Sequence, residues 1–265
     1  MYKVRIDHLD LKQTAESGQC FRFREMGDGL WSLVAFGRYI EIKQDGDEFT
    51  FSCDKDEYDT IWAGYFDKST DYGHIENIIL SSGDAHLKEA FGEGSGIRIL
   101  RQPLWETIVT FMISQNNNIG RITGSVEAIC KKAGIMTADG RGYAFPGPCD
   151  VGKGFFDDRS LGLGYRDKYL AEIYAYAAAR PDWLGELPSL TYEKAMESLM
   201  ERKGIGKKVA SCICLFGLHH IEAFPVDTHV KQLLDKYYRK GFDFEKYKGV
   251  AGIIQQYLFY YELKH

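Results

Sequence analysis

No stretch of the 265-residue chain approaches the ~18 consecutive apolar residues of a membrane span, so no membrane partner is expected. The start, MYKVRIDHLDLKQ, lacks the apolar core of a secretion signal and the Arg/Ser-rich pattern of a transit peptide. A cytoplasmic protein is the expectation. Cysteine is sparse: Cys20, Cys53, Cys130, Cys149, Cys212 and Cys214 form no C-x-x-C pair. That excludes a four-cysteine zinc or iron–sulfur cluster and argues against a disulfide framework; no metal or cofactor is expected. Excess positive charge is missing as well. The net charge is −5, which argues mildly against a nucleic-acid partner. What decides such binding is local clustering, and residues 202–208 read Arg-Lys-Gly-Ile-Gly-Lys-Lys. Acidic residues gather elsewhere, at Asp45, Asp47, Glu48, Asp54, Asp56 and Glu57.

Two kinds of patterning divide what is there. Trp31–Phe36, Tyr39–Lys43 and Glu48–Phe51 alternate apolar and polar residues around an Asp-Gly turn, a hairpin signal. Tyr58–Tyr65 and His74–Ser82 have the character of short helices, and Ser82–Gly96, rich in glycine and charge, of a passage between domains. From Leu104 the apolar spacing turns helical, over 104–114, 119–132, 166–179, 192–202, 207–218, 228–238 and 244–262. The expectation is an α+β chain with a β-rich domain over residues 1–97 and a helical region over 98–265.

The chemistry concentrates around Gly204-Ile205-Gly206, set between two predicted helices. Glycines there permit a tight turn, and the following helix N-terminus offers free backbone N–H groups to a phosphate. Alone, a G-x-G serves equally well as a plain helix–helix turn. Lys208 falls in the first turn of the next helix, beside Lys207, and Cys212 lies four residues on, on the same face. An amine there suits covalent attack once it has given up its proton. Asp227, in AFPVDTHV (223–230), precedes an amphipathic helix and is a natural N-cap, a role that needs no catalysis. The order hairpin, lysine, helix, aspartate, helix is far more specific than its parts.

GIGKKVASCICLFGL (204–218) followed by AFPVDTHV resembles the helix–hairpin–helix and Gly/Pro…Asp signature of DNA base-excision glycosylases. Within that superfamily the chain is most similar to the 8-oxoguanine DNA glycosylases. The supporting segments are SGQCFRF (17–23), GIRILRQPLWETIVTFMISQNNNIGRITG (96–124), LGLGYRDKY (161–169) and AGIIQQYLFYYEL (251–263). The resemblance implies a TBP-like antiparallel sheet followed by an all-helical glycosylase core, with the helix–hairpin–helix at about 192–219 and the aspartate loop at 223–230. It implies a monomer acting on double-stranded DNA that contains oxidised guanine.

Carried over residue by residue, Lys208 resembles the nucleophile that attacks C1′, and Asp227 the carboxylate that supports the positive charge developing on the sugar. Cys212 and Phe259 resemble the two faces that sandwich the extruded base, Gln255 the reader of its Watson–Crick edge, and Pro225 a further wall. The Gly18 carbonyl would accept the N7–H that 8-oxoguanine has and guanine lacks. Asn116, Arg121, Tyr165 and Arg166 resemble the residues that fill the gap and hold the widowed cytosine. Gly204, Gly206, Lys207 and His229 fall where the family contacts phosphates. The chain departs from the family in having Arg202-Lys203 where a Leu-Pro precedes the first glycine, and Lys264 where an arginine often stands. Two alternatives remain: an oxidised-pyrimidine glycosylase, which shares the lysine and VDTH but usually carries a four-cysteine cluster, and a non-enzymatic DNA-binding protein reusing the hairpin.

Overall fold

The computed structural model describes residues 1–265. Five strands, β1 (Tyr2–Arg5), β2 (Phe23–Gly27), β3 (Leu30–Ala35), β4 (Arg38–Asp45) and β5 (Glu48–Phe51), form one antiparallel sheet in the order β1-β5-β4-β3-β2. Two tight turns set its register. Phe36 and Gly37 both have positive φ between paired Ala35 and Arg38, and Gly46 has φ +59° between paired Asp45 and Glu48. One face of the sheet is dry: Leu33, Ile40, Ile42, Phe49 and Phe51 pack against Leu11 of α1 (Leu11–Glu16) and against Tyr58, Trp62, Tyr65 and Phe66. Tyr58, Trp62 and Tyr65 belong to a near-continuous helical segment made of α2 (Lys55–Glu57), a π-type turn (Tyr58–Trp62) and α3 (Ala63–Tyr65), and Phe66 caps its end.

The rest is helical: α4 (Tyr72–Ser81), α5 (Ala85–Gly94), α6 (Leu104–Ser114), α7 (Ile119–Ala133), α8 (Asp167–Ala179), α9 (Pro181–Glu186), α10 (Tyr192–Met200), α11 (Lys207–Phe216), α12 (Thr228–Tyr237) and α13 (Ala251–Lys264). At its centre α6, α11 and α13 are buried almost all round, as Thr107–Ile113, Val209–Phe216 and Ala251–Leu258. A helix apolar on every side belongs inside a helical core. None of the helices is long and apolar enough to cross a membrane.

Two expectations need correction. The passage expected at Ser82–Gly96 contains α5, capped by Asp84, whose carboxylate accepts from the Leu87 N–H at 3.0 Å. The helix expected from Phe244 begins only at Ala251, because the chain turns at Gly249, where φ is +79°. Before residue 97, α4 and α5 already bury Ile75, Ile79, Leu87 and Phe91 in the helical core. Phe21 also joins the helical core, while Leu100 returns to the sheet core, so the chain crosses the junction more than once. The segment that crosses at 17–21 carries one wall of the site.

Candidate active site

The turn between α10 and α11 places the lysine. Gly204 has φ +86°, and a Cβ there would lie 2.7 Å from Tyr169 Cγ, so the turn demands glycine on conformational and steric grounds. Gly206 has φ −91° and faces open space. It caps α11 without a side-chain hydrogen bond, which leaves the first-turn N–H groups free for an anion. The Leu-Pro replacement is absorbed locally: the Ile205 N–H donates to the Arg202 carbonyl at 3.0 Å, and the Arg202 guanidinium stacks on Tyr176 at 4.1 Å. Ile205 is buried and anchors the loop.

Lys208, half-buried, extends over Phe111 with Nζ 5.6 Å from the ring centroid. One turn along α11, Cys212 is buried; burial pushes its thiol up, while Lys208 beside it pulls the other way. Asp227 caps α12, its carboxylate accepting from the Val230 N–H at 2.9 Å. These residues meet in one narrow pocket, lined by Gly18, Phe111, Lys208, Cys212, Phe216, Pro225, Asp227, Gln255, Gln256 and Phe259. Every residue expected to touch the extruded base is therefore in the same cavity, although Gly18, Lys208 and Phe259 come from three distant parts of the chain. Gly18 has φ +75°, and Phe259 Cε1 lies 3.2 Å from where its Cβ would stand, so the backbone approaches the edge of the ring closely.

Lys208 and Asp227 also line a second, larger concavity that includes Asn116, Gly206, Lys207, His229 and Lys231. The pocket thus opens into a groove whose rim carries basic side chains and the free end of α11. His229 is exposed, its ring 6.5 Å from that of Phe259. The local excess of positive charge answers the objection raised by the net charge of the whole chain.

On the opposite rim, Asn116 is exposed in a left-handed conformation, φ +46°. Its side chain donates to the Tyr165 hydroxyl at 3.4 Å. Arg121, in the first turn of α7, is exposed and makes no side-chain hydrogen bond or ion pair within the protein. Arg166 differs from the expectation. It is 7% exposed, and its guanidinium donates to the Gln115 carbonyl (2.9 Å from Nε), the Leu163 carbonyl (3.1 Å) and the Asn116 carbonyl (3.0 Å). Its donors hold the strained Asn116 loop rather than pointing into solvent. Lys264 packs over Tyr260, 3.9 Å from Glu16, and lines neither cavity.

Sequence reasoning missed several contributors. Phe111 and Phe216 form the pocket floor, their rings stacked at 5.3 Å, but in sequence they are indistinguishable from core residues. Gln256 donates to the Gln255 side-chain oxygen at 3.2 Å, which leaves the Gln255 amide nitrogen without a protein partner. Gln115 links the hairpin to the Asn116 loop: its amide donates to the Gly204 carbonyl at 3.0 Å, while its own carbonyl receives Arg166. The adjacent asparagine run was the only signal that could have marked it.

Residues 1–108 match the family described as 8-oxoguanine DNA glycosylase, N-terminal domain. The chain is 34% identical to the N-glycosylase/DNA lyase of Saccharomyces cerevisiae over 70% of its own length and 53% of that protein. It thus spans about half the length of this curated relative. Among solved structures, MBOgg1 in complex with a low affinity DNA ligand superimposes with a TM-score of 0.92 at 34% identity, covering 99% of this chain and 95% of that one. The Clostridium acetobutylicum 8-oxoguanine glycosylase/lyase, in complex with dsDNA containing cytosine opposite to 8-oxoG, gives 0.90 at 32% identity, covering 98% and 93%.

Proposed function

The chain belongs to the 8-oxoguanine DNA glycosylase family, and from that premise we propose that it excises 8-oxoguanine from duplex DNA and cleaves the resulting abasic strand through Lys208. The observation that carries this reading is the single pocket shared by Lys208, Asp227, Cys212, Gln255, Phe259 and the Gly18 backbone. In this reading the flipped base is held between Cys212 of α11 and Phe259 of α13, which line the pocket together. Flipping costs a few kcal/mol of stacking and pairing, and a wedge at Asn116 and Tyr165 offsets part of it.

In this reading the deprotonated Lys208 amine attacks C1′ and the N-glycosidic bond breaks, the base leaving with its electron pair and taking up a proton. The sugar carries positive charge as the bond stretches, and the Asp227 carboxylate stabilises it through space. The covalent product rearranges to an imine between Lys208 and the ring-opened sugar. Loss of a C2′ proton then expels the 3′ phosphate by β-elimination, and water releases the lysine. Specificity follows from hydrogen bonding: 8-oxoguanine offers an N7–H to the Gly18 carbonyl, whereas guanine would set a lone pair against it. We further assign cytosine as the preferred opposite base, read by Arg121, whose guanidinium is exposed and unpaired at the start of α7.

Borohydride reduction is the direct test. With an 8-oxoguanine:cytosine duplex the protein is expected to become covalently attached to DNA. Cleavage of the duplex without any trapped adduct would exclude the lysine mechanism, and absence of both would favour a binding protein. The cysteine spacing and the N-terminal sheet disfavour an oxidised-pyrimidine enzyme, for which a thymine-glycol duplex is the control.

A further inference from the structure

Gln19 follows Gly18 and is completely buried, yet it touches none of the space a substrate would occupy. Burying a carboxamide is costly unless its polar atoms are paired, and a leucine would fill the space more cheaply. Here every part is used. Gln19 Nε2 donates to Ser17 Oγ at 2.8 Å and to the Arg98 carbonyl at 2.9 Å, while Oε1 accepts from the Leu100 N–H at 2.8 Å. Its main-chain carbonyl accepts from Gln102 Nε2 at 2.7 Å. Ser17, also fully buried, donates onward to the Thr14 carbonyl at 2.8 Å.

The segment that receives these bonds is fixed at its far end to the catalytic helix. The Gln102 N–H donates to the Phe216 carbonyl at 3.1 Å, at the last residue of α11, and Phe216 lines the pocket. Gly18 is therefore tied to the helix of Lys208 and Cys212 by an unbroken path: Gln19, the 98–102 segment, Gln102, Phe216. On its other side Gly18 has little slack, because Phe259 stands 3.2 Å from its missing Cβ. A hydrogen bond weakens steeply with distance and angle, so a carbonyl that discriminates a donor from a lone pair must be held in place.

We propose that Gln19 is a positioning residue for damage specificity, acting through the Gly18 carbonyl, with Gln102 coupling that carbonyl to the lysine-bearing helix. The proposal rests on the reading of the pocket as an 8-oxoguanine site. It makes a prediction that a purely architectural glutamine would not. Base recognition requires Gly18, whereas β-elimination at a preformed abasic site requires only Lys208 and the sugar.

The experiment compares wild type, Gln19→Ala and Gln102→Ala on two duplexes, one with 8-oxoguanine opposite cytosine and one with a preformed abasic site. Single-turnover base release by Gln19→Ala is expected to fall about 10- to 100-fold. Its binding preference for the 8-oxoguanine duplex over the guanine duplex should shrink in parallel. Lyase cleavage and borohydride trapping on abasic DNA should stay within about threefold of wild type. Gln102→Ala removes only the outer bond and should show the same split at smaller size; it carries the test if Gln19→Ala does not fold. Equal losses on both duplexes, or unchanged 8-oxoguanine release, overturn the proposal. A wild-type protein that traps on abasic DNA but ignores 8-oxoguanine instead overturns the substrate reading beneath it.

Discussion

Lys208 is the one amine common to the pocket and to the groove outside it, so its removal separates chemistry from binding. In Lys208→Gln, the free N–H groups of α11 and the Lys207 and Lys231 side chains remain for phosphates. Single-turnover base release should fall by at least about 10³-fold with no trapped adduct, while affinity for damaged duplex changes little. Normal base release would sink the assignment. Asp227 has two roles to disentangle. Asparagine caps almost as well as aspartate, so Asp227→Asn should cost no more than about 0.5 kcal/mol of stability. Excision should nevertheless slow about 10²-fold, because the carboxylate charge is what the cationic sugar requires. A thermal melt beside a single-turnover assay decides it: matched losses would leave only the cap. Arg121 is the exposed, unpaired guanidinium at the start of α7, since Arg166 is committed to the carbonyls of Gln115, Asn116 and Leu163. Arg121→Met should cut discrimination between cytosine and adenine opposite the lesion by ~1–3 kcal/mol, more than it lowers activity on the cytosine pair. An unchanged ratio of the two rates would remove Arg121 from opposite-base reading.

At the scale of elements, the two glycines of the hairpin make opposite demands. Gly204→Ala places a methyl 2.7 Å from Tyr169 Cγ at φ +86°, combining backbone strain with a clash. It should cost about 2–3 kcal/mol and, by shifting the carbonyl that Gln115 holds, weaken duplex binding. Gly206→Ala meets nothing within the protein and should melt like wild type, any loss appearing only in DNA affinity. Equal melting temperatures for the two variants would contradict this division. The hairpin was legible in the sequence because its signals are local: two glycines, a basic run and two amphipathic helices. Helix α5 was not, because Gly92 and Gly94 mask the Leu87, Ala90, Phe91 stripe. Gly94 is explained only by packing, a Cβ there lying 3.1 Å from Ile97 and 3.3 Å from Tyr260. The base pocket lies between these cases. Its members follow from the resemblance, segment by segment, but no periodicity brings Gly18 to Phe259. Gln19 carried no signal of its role, since a buried glutamine reveals itself only through its partners, and Gln115 had only the asparagine run beside it.

For the whole molecule, the question is what holds the sheet core to the helical core while the crossing segment carries part of the active site. Arg22, four residues beyond Gly18, is one such tie. Its side chain is 2% exposed and lies 3.5 Å from Glu106 of α6 and 3.6 Å from Glu127 of α7, and it donates to the Tyr143 carbonyl. Three separated parts of the helical region thus grip the residue leading into β2, an arrangement no sequence pattern announces. Burial pushes the Glu106 carboxyl up from 4.5 to about 6, and the attraction of Arg22 only partly opposes it. In the unfolded chain Glu106 loses its proton near 4.5, while in the folded protein it keeps it to about 6. Across that window the folded state binds more protons, so stability falls as pH rises. The contribution is complete below about pH 4.5 and is lost as pH passes through about 6. A shift of this size corresponds to roughly 2 kcal/mol. Glu106→Gln abolishes the titration, so the stability of wild type relative to this variant should decline by about that amount across the window. Denaturant melts of both proteins at matched ionic strength measure the difference directly and cancel the titration of every other group. A difference that stays flat with pH would show that Glu106 titrates alike in the folded and the unfolded chain, whereas one that rises with pH through about 4.5 would show that Arg22 holds it ionised in the folded protein.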